Sequence, residues 1–88
     1  MIPRIRKIEG WKTIWKGKYS IAFKKNSLPV YEINVIYIEK SGNYLVRLFV
    51  IEPMFKLLKS FSTTKKSLEK RVRLLMQKVN NGEVSVYD

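Results

Sequence analysis

The chain has 88 residues, and its 18 Lys and Arg outnumber its 7 Asp and Glu to give a formal net charge of +11. This length predicts one domain with a small core, because so short a chain buries only about 60% of its unfolded surface. The absence of cysteine and histidine excludes disulfides, thiolate or imidazole metal sites, and catalysis by a histidine base.

The first ten residues are predicted to form a basic arm. Isoleucines recur at every third position, and three cations lie between them; they are Ile2, Ile5 and Ile8, with Arg4, Arg6 and Lys7. Pro3 and Gly10 argue against a long helix. Two interpretations remain open, a flexible arm and a short edge strand. A flexible basic arm can reach into a groove of DNA.

Residues 11–25 are predicted to form a β-hairpin. Two alternating stretches flank Lys16-Gly17-Lys18, where glycine can supply a positive φ. Trp11 and Trp15 fall on one face of the first stretch, with lysines beside them. For these two rings, a core position and a base-stacking position are both open, since aromatics among lysines suit single-stranded nucleic acid. In the second stretch, the side chains predicted to enter the core are Tyr19, Ile21 and Phe23.

Residues 31–39 and 44–52 are predicted to form a second hairpin, because they are rich in β-branched and aromatic side chains. A turn at residues 40–43 joins them. Pro53 ends the second strand, since proline cannot donate to a β-ladder. Residues 55–61 fit either a further strand, with Phe55, Leu57 and Phe61 on one face, or a helical turn. We expect a strand that leads directly into the helix.

Residues 63–82 are predicted to form one amphipathic helix. Its apolar side chains recur at the helical period and form a single stripe, made of Leu68, Val72, Leu75, Met76 and Val79. One of Ser62, Thr63 or Thr64 caps the start, and Asn81-Gly82 is a stop signal. Lys65 and Lys66 oppose the positive pole of the helix dipole. This placement suits a phosphate contact, and a solvated basic face explains it as well.

These elements predict an α+β fold, in which an antiparallel sheet of three to five strands packs against one C-terminal amphipathic helix. The chain is divided into a basic arm at 1–10, the sheet at 11–62, the helix at 63–82, and a short tail or edge strand at 83–88. A single helix covers only one side of such a sheet. Apolar side chains on the other side, such as Ile36 and Phe49, need a cover. A homodimer that buries them is therefore one interpretation.

Several classes of function are excluded by what the sequence lacks. No apolar run approaches the ~18 residues of a transmembrane helix, and no hydrophobic segment follows the basic start as in a signal peptide. We therefore expect a cytoplasmic protein without integral membrane association. The glycines are too far apart for a phosphate-binding loop, and the carboxylates are scattered singly. We expect no catalysis, no cofactor and no metal site.

Positive charge is concentrated at the two ends of the chain. The formal charge is +7 over residues 1–25, −1 over residues 26–55 and +5 over residues 56–88. Uneven basic charge favours a polyanionic partner. Nucleic acid is the partner we expect most, and DNA more than RNA. The candidate phosphate-binding residues are Arg4, Arg6, Lys7, Lys12, Lys16, Lys18, Lys24, Lys25, Lys65, Lys66, Lys70, Arg71 and Arg73. The candidate stacking residues are Trp11 and Trp15. This hypothesis requires the cations of both ends to converge on one surface.

A protein-interaction module is the alternative, with a cationic face that docks on an acidic or nucleic-acid-binding site of a partner. Exposed apolar residues would supply the binding energy, with Trp11, Trp15, Met54 and Leu74 as the candidates. An anionic membrane surface is a third option. The apolar stripe of the helix is better explained as core, because the sheet has no other element to cover it.

The order of elements carries two resemblances. Strands from Trp15 onwards, followed by a helix that opens with Phe61-Ser62-Thr63-Thr64-Lys65-Lys66, resemble the arm-type DNA-binding domain of phage and transposon tyrosine recombinases. That resemblance implies a three-stranded sheet in the major groove, but these strands are longer and this helix is more basic. The order is also similar to coactivator-type single-stranded DNA-binding domains, which dimerise through their helix. Short, basic, histidine-free chains are similar in style to early phage or archaeal-virus proteins, some of which inhibit host enzymes.

Overall fold

A computed structural model describes residues 1–84 of the chain as one antiparallel sheet followed by one helix. The strand order β1-β2-β3-β4-β5 is the chain order, so each strand pairs with its sequence neighbours. The predicted α+β arrangement is confirmed. The elements are β1 (Trp11–Lys16), β2 (Ser20–Lys25), β3 (Val30–Ile38), β4 (Asn43–Glu52), β5 (Lys56–Thr63) and α1 (Lys65–Asn80). The short tail or edge strand predicted at 83–88 lies largely outside the described residues.

The sheet has an inner face, which α1 covers, and an outer face, which no described element covers. In β3, Ile33 and Val35 point inward and are fully buried, while Ile36 points outward and is half-buried. Ile33 pairs with Leu48 and Val35 pairs with Val46, so the buried row continues across β4. From Tyr31 onwards, alternation along β3 and β4 therefore builds the core on one face of the sheet.

The helix completes the core with the predicted apolar stripe. Its buried residues are Leu68, Val72, Leu75, Met76 and Val79. Burying a large apolar side chain contributes about 1.5–3 kcal/mol, so this stripe fixes which side of α1 faces the sheet. Thr64 is the N-cap, and its hydroxyl accepts a hydrogen bond from the backbone N–H of Ser67 at 3.4 Å. Gly82 follows the C-cap with φ at 72°, as the stop signal predicts.

The first nine residues pack beside the helix rather than extending from the domain. Ile5 is only 7% exposed and belongs to the same cluster as the sheet core, with Ile2 and Ile8 packed around it. The backbone N–H of Ile2 donates to the carbonyl of Lys18 at 3.2 Å. The Tyr44 hydroxyl donates to the carbonyl of Met1 at 3.0 Å. Both predicted forms of this segment, a flexible arm and an edge strand, are wrong. Residues 1–8 form no strand, and Ile5 is buried in the core on the inner face.

Two irregularities in strand pairing change which face several side chains occupy. The register of β1 shifts between Thr13 and Trp15, so Trp11 lies on the inner face and Trp15 on the outer face. The prediction that both rings share one face is therefore wrong. Pairing between β4 and β5 shifts beside Phe49, which places Leu57 on the outer face and Phe61 on the inner face. An extra residue in a strand reverses the face of every side chain beyond it.

Candidate nucleic-acid interface

We call the solvent-facing surface of α1, together with residues 1–10 and strand β5 that flank it, the helix-side face. Lys66, Lys70 and Arg73 lie opposite the buried stripe, at spacings that stack them along one side of the helix. Leu74 lies among them and is 50% exposed. Over its whole length α1 carries six Lys or Arg and one Glu, so its exposed surface is strongly cationic.

The N-terminal segment joins its cations to this face. The backbone N–H and the Nε of Arg6 both donate to Oε2 of Glu69, at 2.9 and 3.2 Å. Nη1 of Arg73 donates to the carbonyl of Arg6 at 2.9 Å. Arg4 and Lys7 are exposed on either side of Arg6. The structure therefore brings the cations of the first ten residues next to those of the helix.

Glu69 is the acidic residue of α1 and is already engaged by Arg6. The hydrogen bond from the backbone N–H of Arg6 lowers the pKa of Glu69, and the Arg6 side chain lowers it further. Two other described acids lie near this face: Glu9 is exposed at the end of the N-terminal segment, and Glu83 follows the helix. Glu32 lies on the outer face, and Glu39 and Glu52 lie at strand ends. The cations of the helix-side face therefore still outnumber its acids.

Two further cations on this face were absent from the predicted set. Lys59 of β5 and Lys78 of α1 line a pocket with Arg71 and Phe61. Lys78 lies near the helix end and suits the negative pole of the helix dipole, which accounts for its position without a ligand. Lys59 could not be placed from the sequence, because the face of β5 depends on the shift in pairing beside Phe49. The spacing of Arg71 and Lys78, seven residues apart on one flank of the helix, was the available signal.

The outer face of the sheet is less charged and more apolar. Lys12 pairs with Lys24, which in turn pairs with Glu32. Arg47 lies near the middle of β4, with its guanidinium 5.4 Å from the ring centre of Phe49. Its buried Nε has no hydrogen-bond partner in the described structure. Lys12 and Lys24 thus lie across the sheet from the helix cations, so they do not share one surface with them.

The two tryptophans have different surroundings. Trp11 is 5% exposed, and its Nε1 donates to Oδ1 of Asn80 at 3.0 Å. This burial contradicts the predicted stacking role of Trp11, because neither face of its ring is open to a base. Trp15 is 59% exposed, and its Nε1 donates to Oγ of Ser20 at 2.9 Å. Trp15 is thus a fixed, accessible ring on the outer face.

Gly17 leaves room for the Trp15 ring and does not have a positive φ, which is found instead at Gly10, Gly42 and Gly82. A Cβ at residue 17 would lie 3.2 Å from the indole nitrogen of Trp15, which is closer than most Cβ contacts. The prediction of a positive φ in this turn is wrong. The glycine allows the indole to fold over the hairpin turn.

The remaining hairpin cations lie at the edge of the sheet. Lys18 is placed over the ring of Tyr19 at 5.3 Å, and Tyr19 is 51% exposed, which contradicts its predicted core position. Nζ of Lys25 donates to Oδ1 of Asn80 at 2.9 Å, so this lysine ties β2 to the helix end. Lys16 is exposed at the end of β1. Lys16 pairs with Ile21 and Lys25 pairs with Trp11, so both lysines lie on the inner side of the sheet, at its β1 end.

Comparisons with known proteins identify no family. No protein-family model, curated protein or solved structure matches the chain. The two resemblances of the sequence therefore stay predictions. Within residues 1–84, no three acidic side chains are grouped so that they could hold a metal ion. The described part of the chain contains no helix long and apolar enough to cross a membrane.

Proposed function

We propose that the protein binds nucleic acid, DNA in preference to RNA, through the helix-side face. The observation that supports this is the segregation of charge: α1 carries six Lys or Arg against one Glu, and that Glu69 is bonded to Arg6. Cations held on a rigid helix neutralise phosphates and release condensed counterions, which supplies most of the affinity of non-specific binding.

Contacts in this mode are made mainly with the nucleic-acid backbone. The accessible aromatic Trp15 lies on the outer face, away from Lys70 and Arg73, so it does not stack on bases that the helix-side face holds. Phosphate contacts position a protein on its target, whereas base contacts specify sequence. We therefore expect weak sequence preference. DNA is favoured because RNA recognition relies on 2′-hydroxyls and unpaired bases, which a cationic helix surface does not read.

Fluorescence anisotropy with labelled duplex and single-stranded oligonucleotides, over a salt series, tests this proposal. If five or six phosphates are engaged, the logarithm of the binding constant falls with the logarithm of salt at a slope of about −4 to −5. Binding should leave the tryptophan emission unchanged, because Trp11 is buried and Trp15 faces the other side of the sheet. No binding at ~50 mM salt, where non-specific contacts are strong, would overturn the proposal.

A protein-interaction role is the second candidate, and the outer face favours it. Ile14, Trp15, Phe55 and Leu57 are large apolar side chains that are exposed, and a groove of ≈ 330 Å³ lies against Trp15 and Ile36. Exposed apolar surface of this kind marks contact sites. Sedimentation velocity over a range of concentrations tests a second copy as the partner. A dimer that Trp15→Ser abolishes supports this candidate, and a monomer at every concentration removes the homodimer.

A further inference from the structure

A small pocket lies where the edge strand β5 meets the flank of α1. Its volume is ≈ 130 Å³, and it is lined by Lys59, Phe61, Arg71, Leu74, Leu75 and Lys78. Three of these side chains are cations and none is acidic. A phosphate group fits a space of this size.

The strand register explains why a lysine points into this pocket. Lys59 pairs with Leu48, and Phe61 pairs with Val46, and both partners are fully buried inner-face residues. Lys59 and Phe61 are therefore on the side of β5 that α1 covers. Because β5 is the last strand of the sheet, the ammonium group of Lys59 can remain exposed at the edge.

Arg71 is held in a fixed orientation over the floor of the pocket. Its guanidinium carbon is 4.1 Å from the ring centre of Phe61, and its Nη1 donates to the carbonyl of Ser62 at 3.1 Å. The ammonium nitrogen of Lys59 lies 6.0 Å from the centre of the same ring. A guanidinium has five N–H donors, and the contact with Ser62 occupies one. A planar donor group that is fixed in advance loses less entropy on binding an anion.

Lys78 lies at the other end of the pocket. It follows Arg71 by seven residues, which corresponds to about 10 Å along the axis of a helix, and Leu74 and Leu75 lie between them in the lining. One described acid, Glu83, lines a neighbouring pocket with Lys59 and Lys78, and its Oε2 accepts a hydrogen bond from Asn81. Like charges brought this close repel one another, and a bound anion relieves that repulsion.

We infer that Lys59, Arg71 and Lys78 form a binding site for one phosphate group. This inference rests on the proposed function, in which the phosphate belongs to a nucleic-acid backbone. It adds a defined anchoring point to an otherwise distributed cationic surface. Arg71 presents its guanidinium edge to two phosphate oxygens, and the two lysines donate from opposite sides.

The first test is titration of the ¹⁵N-labelled chain with inorganic phosphate, followed by two-dimensional NMR, with sodium chloride at equal ionic strength as the control. Shifts specific to phosphate should cluster on Lys59, Phe61, Arg71 and Lys78. Phosphate shifts that match those of chloride, or that spread along Lys66 and Lys70, would overturn the site.

The second test compares the double variants Lys59→Gln/Lys78→Gln and Lys66→Gln/Lys70→Gln in binding to duplex DNA. Both remove two positive charges from the helix-side face, but only the first alters the pocket. The pocket variant should lose about tenfold more affinity than the control, the loss expected for charge-assisted hydrogen bonds to one phosphate. Circular dichroism and melting temperature confirm that both variants fold.

The outcomes separate this inference from the proposed function. Equal loss in both variants overturns the pocket and leaves the helix-side face as the binding surface. Clustered phosphate shifts in a wild-type chain that binds no oligonucleotide keep the phosphate site and overturn the nucleic-acid function. Arg71→Lys keeps the charge and should weaken binding, because a lysine cannot present two parallel N–H donors to one phosphate.

Discussion

The two sides of the sheet differ in cover and in charge. The inner side is sealed by α1 and the N-terminal segment, and this cover carries half of the 18 Lys and Arg, as at Lys70 and Arg73. The outer side is left open, with apolar side chains such as Ile36 half-buried and with Lys24 paired across strands to Glu32. Charge placed only for solubility would be spread evenly over both sides. The larger share on the helix side supports the proposed surface for a polyanion.

The largest expected difference between the two sides is in packing, and β3 offers a matched pair. Ile33→Ala should lower the free energy of unfolding by about 2–5 kcal/mol, because it leaves a cavity among fully buried neighbours. Ile36→Ala, on the same strand but on the outer face, should cost no more than about half of this. Urea unfolding measures both. Equal losses would show that the outer face is covered, and a loss at Ile36 that varies with protein concentration would identify a second copy as the cover.

A smaller difference is expected between the two tryptophans. Trp11→Phe removes the hydrogen bond to Asn80 and some buried volume, so it should lower the unfolding free energy by about 1–3 kcal/mol. Trp15→Phe should change it by no more than about 0.5 kcal/mol, as surface substitutions do. In the Trp15→Phe protein, acrylamide should quench the remaining emission only weakly. Strong quenching would contradict the burial of Trp11.

The smallest expected effect tests the ion pair that joins the N-terminal segment to the helix. Glu69 has a folded-state pKa below the ordinary value of 4.5, so its stabilising contribution is present above that pH. The contribution is lost as the pH falls through the lowered pKa of the folded state. Glu69→Gln should therefore be less stable than the wild type near neutral pH, and the gap should close below pH 4.5.

Urea unfolding at several pH values measures this gap. Glu39→Gln, in the exposed turn between β3 and β4, removes the same charge at a site remote from Arg6 and serves as the control. A gap for Glu69→Gln that stays constant down to acid pH would contradict the ion pair as the cause.

The helix and the central strands could be predicted from the sequence because their signals are local. The stripe from Leu68 to Val79 repeats at the helical period without interruption, and β3 alternates regularly after the irregularity at Val30, so most of the buried set follows directly. The cap at Thr64 and the stop at Gly82 are equally local. These features depend on residues a few positions apart, which the sequence shows.

The candidate site was only partly predictable because its geometry depends on pairing between distant residues. The shift beside Trp15 reverses the face of one indole, and the shift beside Phe49 turns Lys59 toward the helix. Neither shift has a local signature such as a glycine at the bulge. The isoleucines of the first ten residues gave no helical or strand period, so the packing of Ile5 into the core was not expected.

The central claim, that the helix-side face and not the outer face holds the polyanion, is tested most directly by two charge-matched variants. Lys66→Gln/Lys70→Gln and Lys12→Gln/Lys24→Gln each remove two positive charges, from opposite sides of the sheet. Salt-series anisotropy with duplex DNA should show the slope reduced in magnitude by about 2 for the helix variant and unchanged for the sheet variant. A slope that falls equally in both, or only in the sheet variant, would contradict the account.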